Sequence, residues 1–180
     1  MEETTEKIML PKEVQVVIEG REIRAKGPGG EVARKIDDPQ VEAKVEDSRI
    51  IITCKGTSKR EKRKIGTWVS HIKNMCKGAA EPCIYRLKIC SGHFPMTATT
   101  TDKEFTVKNF LGEKVPRKVK IKTGSKVRIE GDIVIVESPD KELAGQTAAD
   151  IEKLCRIVNK DSRIFQDGIW IIEKDGKTIK

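Results

Sequence analysis

The side chains able to act as nucleophiles or metal ligands are few: Cys54, Cys76, Cys83, Cys90 and Cys155, with His71 and His93 the only histidines. Cysteine catalysis needs an imidazole or another base beside the thiol, and no spacing here favours any cysteine–histidine pair. The cysteines form no Cys-x-x-Cys motif, their number is odd, and most have apolar neighbours. That pattern reads as reduced, semi-buried thiols rather than disulfides or zinc ligands. No Walker loop is present, and Gly27-Pro28-Gly29-Gly30 lacks the lysine and the strand–helix setting that cradle phosphates. The residues therefore supply no catalytic set, no metal site and no cofactor site.

Charge is the stronger signal. Lys and Arg number 36 against 28 Asp and Glu, a net charge of +8 and a pI near 9.2, so the leading expectation is a polyanionic partner. Aromatic residues make up only 4%, which argues against a stacking platform for single strands and favours contact through phosphates and backbone shape. Three groups of cations stand out. Arg117, Lys118, Lys120 and Lys122 fall on a strand and its adjoining turn, where alternation places Lys118, Lys120 and Lys122 on one face. Arg156, Lys160 and Arg163 lie at the end of the last helix and in the charged loop that follows it, and such loops concentrate recognition. Residues 59–64 form a basic run on a helix, which could grip phosphate or simply be a solvated face. In the loop, the plainer reading is that Asp167-Gly168 makes a turn and Phe165 plugs the core.

The elements that must position these groups are repeated. Residues 22–36 are echoed by residues 104–119, each reading as strand, a turn with Gly-Glu, and a strand ending in a basic pair. An offset of about eighty residues is too long for a solenoid repeat and indicates two similar small domains in tandem. In the first, strands are expected at 14–18, 21–26, 31–36, 41–45 and 49–54, running as an antiparallel meander with Asp47-Ser48 at its last turn. Glycine at 27–30 supplies positive backbone angles. Ser58 and Glu61 then form a capping box, followed by an apolar stripe of Ile65, Trp68, Val69, Ile72, Met75 and Cys76 that Gly78 should end. In the second, strands are expected at 84–90, 96–101, 104–108, 114–121, 126–129 and 133–137. Pro139 opens a helix whose inward stripe is Ala148, Ile151, Leu154, Cys155 and Val158, and a last strand at 168–173 precedes a lysine-rich tail. The fold class is α+β, a tandem duplication (1–80 and 81–180) in which each half packs an antiparallel sheet against one helix. The first seven residues are polar and acidic, without the apolar core of a secretory signal, and no apolar run is long enough to span a membrane. A soluble, intracellular protein is expected.

Several segments resemble a known family. Gly27-Pro28-Gly29-Gly30-Glu31, residues 70–78, His93-Phe94-Pro95, residues 109–114 and residues 160–170 together are similar, in order and over nearly the whole chain, to the ribosomal large-subunit proteins called L-six in bacteria and L-nine in eukaryotes. The compact length and Gly145-Gln146-Thr147-Ala148 look like the archaeal branch. Trp170 stands where the family usually has tyrosine, and the extra cysteines are unusual. The resemblance implies a duplicated α+β fold and a structural role in the large subunit, on ribosomes in the cytoplasm. It also implies binding to large-subunit ribosomal RNA near the stalk base and the factor-binding region, beside other large-subunit proteins, with no membrane and no small-molecule substrate. It does not assign RNA contacts, and the seven cations Arg117, Lys118, Lys120, Lys122, Arg156, Lys160 and Arg163 are chosen on their chemistry. Two other classes compete: an adaptor for protein partners, which requires an exposed apolar patch, and a thiol enzyme, which requires a cysteine and a histidine within hydrogen-bond reach.

Overall fold

The computed structural model describes residues 3–11, 13–46, 49–161 and 163–179; the expected turn at Asp47-Ser48 lies outside them. Chain contacts divide the protein into two compact units, Met1–Pro82 and Cys83–Lys180. Each has its own apolar core. Lys and Arg exceed Asp and Glu by 17 to 14 in the first and by 19 to 14 in the second, so the second carries more of the positive charge.

The first unit runs β1 (Glu3–Met9), β2 (Gln15–Glu19), β3 (Glu22–Gly27), β4 (Gly30–Lys35), β5 (Val41–Glu46), β6 (Arg49–Lys55) and α1 (Lys59–Ala80). Its strands do not form one meander. They divide between two antiparallel three-stranded sheets, β2-β3-β4 and β1-β6-β5. Strand β1 occupies what the sequence presents as a polar leader. Its Glu and Lys residues are exposed while Ile8 is 5% exposed and part of the core, and β1 pairs with β6 from Glu3–Lys55 to Met9–Arg49. The stripe of α1 buries Ile65, Ile72, Met75 and Cys76. Ser58 caps the helix by accepting from the Arg60 amide, and Glu61 bonds the Ser58 hydroxyl rather than closing a full capping box on its amide.

Gly78 does not end α1. The helix continues to Ala80, and Glu81 leaves it in the extended conformation that the following proline imposes. Gly78 instead lies buried, and Gly27 and Gly29 approach its turn closely. A Cβ on Gly27 would sit 2.5 Å from the Ala79 carbonyl oxygen, and one on Gly29 would sit 2.8 Å from that of Gly78. The Gly29 amide donates to the Ala79 carbonyl at 2.7 Å. Of the turn's glycines, Gly27, Gly29 and Gly30, only Gly30 has a positive φ, so the turn needs the other two for close packing rather than for backbone angle.

The second unit repeats the order: β7 (Cys83–Cys90), β8 (Thr97–Thr100), β9 (Glu104–Lys108), β10 (Arg117–Lys120), β11 (Lys126–Glu130), β12 (Ile133–Ser138) and α2 (Lys141–Leu154). Sheet β10-β9-β8 matches β4-β3-β2, and β11-β12-β7 matches β5-β6-β1, strand for strand. Two additions distinguish it. β13 (Gly168–Lys174) pairs with the other edge of β7, and β14 (Lys177–Thr178), where the sequence reads as tail, extends the sheet to five strands. Asp140, not a proline inside the helix, caps α2 by accepting from the Glu142 amide at 2.8 Å; Pro139 precedes the cap. The helix ends at Leu154, so Val158 falls in a loop and is 70% exposed instead of completing the inward stripe.

Candidate nucleic-acid interface

The β9–β10 connection shows how this unit presents its cations. The equivalent β3–β4 turn is tight, with Gly27 opposite Gly30, but residues 109–116 make a longer loop. It includes a 3-10 turn, Phe110–Gly112, entered through left-handed Asn109. Pro116 cannot donate a ladder hydrogen bond, so β10 begins at Arg117 rather than at Lys114.

Arg117 is tied into the fold. Its Nε and one terminal nitrogen donate to the two oxygens of Glu113, at 2.8 and 2.5 Å. The other terminal nitrogen donates to the carbonyls of Leu154 (2.8 Å) and Arg156 (3.2 Å), and the guanidinium lies 4.3 Å from the Phe110 ring centroid. The fork–fork hydrogen bond from Arg117 holds the Glu113 carboxyl below the ordinary glutamate range. Lys118 and Lys120 point to the exposed side of β10, alternating with half-buried Val119. Lys122 does not join them: it lies beyond the strand, where the period of two no longer applies, and pairs with Asp150 of α2 at 3.7 Å.

Arg156, Lys160 and Arg163 are all exposed, and among the described residues none forms a salt bridge. Asp161 accepts from the Arg163 backbone amide at 2.9 Å, which shapes the loop and leaves the guanidinium at the surface. Lys160 Nζ lies 4.5 Å from the Phe165 ring centroid. On α1, by contrast, Lys64 is held by Asp38 at 2.7 Å, while Lys59, Arg60, Lys62 and Arg63 remain exposed.

Asp167 does more than open a turn. It is 3% exposed, yet its carboxylate accepts from the amides of Gly92 (2.6 Å) and His93 (2.9 Å) and from His93 Nδ1 (2.5 Å). Burial works to raise its pKa, and the hydrogen bonds from His93 and Gly92 outweigh that and hold it below the ordinary aspartate value. The His93 ring stacks on Phe165, centroids 4.7 Å apart. Phe165 is half-buried at this stack rather than sealed in the core. Nothing local in the sequence points to this clasp, since its partners lie 74 positions apart. The only available signal is a charged aspartate beside glycine in a loop.

Among the described residues no group of three His, Cys, Asp or Glu is placed to hold a metal, and no helix is long and apolar enough to cross a membrane. Four cysteines are buried and Cys90 is partly so; burial pushes the Cys155 thiol up to about 11. Exposed large apolar side chains do occur in the second unit: Phe94, Val115, Val158, Ile164 and Trp170.

Comparison with known proteins accords with this arrangement. The chain is 43% identical to the large ribosomal subunit protein uL6 of Nanoarchaeum equitans, across 96% of this chain and 94% of that protein. It is 40% identical to uL6 of Methanococcus vannielii (97% and 96% covered) and 39% identical to that of Methanothrix thermoacetophila (97% and 99%). The sequence model of the family described as Ribosomal protein L6 matches twice, over residues 10–81 and 94–168, once in each structural unit. Two matches on two copies of one strand order place this chain in the ribosomal protein L6 family.

Proposed function

We propose that the chain is a structural constituent of the large ribosomal subunit that binds large-subunit ribosomal RNA, chiefly through its second unit. The observation that carries this is the family match over both units, with relatives named as large-subunit proteins along nearly their whole length. The family is one of ribosomal proteins, not of enzymes. Charge supports the RNA reading: the second unit gathers exposed Arg156, Lys160 and Arg163 in one loop region, with Lys118 and Lys120 on β10. Lys122 contributes once its weak, partly exposed pairing with Asp150 yields to phosphate. Arg117 serves differently, by holding the loop that bears Arg156. Scarcity of aromatic residues fits contact through phosphate and backbone shape.

The stalk base, near the factor-binding region, is the site within the subunit that we infer from the family resemblance, and exposed Phe94, Val115, Val158 and Ile164 suit neighbouring ribosomal proteins. Sedimentation of tagged protein in cell extract tests the assignment: it should travel with free large subunits and with whole ribosomes in the cytoplasmic fraction. A tagged protein that stays at the top of the gradient would refute it.

A further inference from the structure

Resting on that RNA-binding reading, we propose that His93 is itself an RNA-contacting residue, which offers Nε2 to a backbone phosphate and does so in its protonated form. The clasp with Asp167 sets this up. A carboxylate only accepts hydrogen bonds, so with Asp167 ionised the Nδ1 of His93 must carry a proton. One face of the ring is covered by Phe165 and the Nδ1 edge by Asp167. The side chain nevertheless keeps 38% of its surface exposed, and among the described residues Nε2 has no hydrogen-bond partner.

A ring held on one face and one edge and open at its far nitrogen is a preorganised donor. Ordering entropy, which a free lysine loses on binding, is already spent in folding. Two charges face the ring. They are the Asp167 carboxylate at Nδ1 and the ammonium of Lys160, which lies against the same Phe165 and adds a second cation for the same phosphate backbone. Arg163 belongs to the same loop. A phosphate at Nε2 would complete a carboxylate–imidazolium–phosphate chain in which each hydrogen bond is charge-assisted. With Nδ1 already protonated toward Asp167, Nε2 can donate to phosphate only when the ring takes up a second proton, so such a contact couples RNA binding to proton uptake.

The test measures binding of a fluorescent large-subunit rRNA fragment to the full chain at pH 6 and pH 8, for wild type, His93→Asn and His93→Gln. Asparagine places an amide donor where Nδ1 stood and can keep the bond to Asp167, but has nothing at the Nε2 position. Glutamine places its amide near Nε2 and carries no charge. The wild type should bind several-fold more tightly at pH 6 than at pH 8. His93→Asn should melt near the wild-type temperature, bind about tenfold more weakly at pH 6, and lose the pH dependence and roughly one unit of the salt slope. His93→Gln should bind equally at the two pH values, at the wild type's pH 8 level. If His93→Asn binds as wild type does, with an unchanged pH profile, His93 is only a loop clasp and the proposal fails. A wild type that binds no rRNA at either pH removes the RNA-binding reading and this proposal together, which separates the two failures.

Discussion

The guanidinium of Arg117 donates to the carbonyl of Leu154 at 2.8 Å, fastening the first residue of β10 to the last turn of α2. A cation at a helix C-terminus also meets the negative end of the helix dipole. Because the same guanidinium reaches Glu113, Arg156 and the Phe110 ring, one side chain joins the β9–β10 loop, the helix end and the start of the Arg156–Arg163 loop.

Arg117→Ala should therefore lower the stability of the second unit by about 2–3 kcal/mol, the range for charged hydrogen bonds and an unpaired carboxylate. Arg117→Lys should recover only part of this, since an ammonium cannot reproduce the fork. Urea unfolding followed by hydrogen exchange in α2 would measure both, and an alanine variant as stable as wild type would contradict the anchoring role.

Arg163 is the residue to test for phosphate contact, because its guanidinium is exposed and its neighbouring Asp161 is occupied by backbone. Arg163→Ala should stay folded, bind an rRNA fragment more weakly and show a log–log salt slope shallower by roughly one unit. Unchanged affinity and slope would remove it from the contact set.

Asp167 makes a prediction about acid. Its folded pKa lies below the ordinary 3.8, so the stability it contributes is present above that value and is lost as pH falls through the lower, folded one. Asp167→Asn should cost stability at pH 7 and lose less on acidification below about pH 4. Parallel thermal melts of the two proteins at pH 7 and pH 3 decide this; an equal loss in both on acidification would rule out the clasp as a titrating element.

Thiol chemistry should follow burial. In the native protein a disulfide reagent should modify Cys90 first, while Cys54, Cys76, Cys83 and Cys155 react only on unfolding. Mass spectrometry of time points gives the order, and early labelling of Cys155 would contradict its burial and its raised pKa.

Much of this architecture is readable from residue order, and the failures have local causes. The duplication shows because each copy repeats a turn and a basic pair. The two helices show because their apolar stripes keep a period near 3.6. Strand β1 is hidden because an edge strand that offers one buried isoleucine among Glu, Thr and Lys looks like a polar leader. Division into two sheets per unit is also invisible, since alternation gives each strand's faces but not its partners. At the candidate site, Lys118 and Lys120 follow from alternation, and Lys122 does not because the strand has ended. The inward role of Arg117 and the bond between His93 and Asp167 depend on loops brought together only by the folded sheet.

The placement of β13 has a consequence for biosynthesis. Everything in the first unit is complete once Pro82 has been made, and its strands pair without help from later residues. β7 is different: it lies between β12 and β13, and its Arg86 meets Glu173 across 87 positions of sequence. While the chain is still emerging, one edge of this central strand must wait, its amides and carbonyls without a strand partner, until β13 has been translated. The nascent protein thus passes through a stage with one finished unit and one open sheet, which is the interval when a chaperone's shelter against strand-to-strand aggregation matters most.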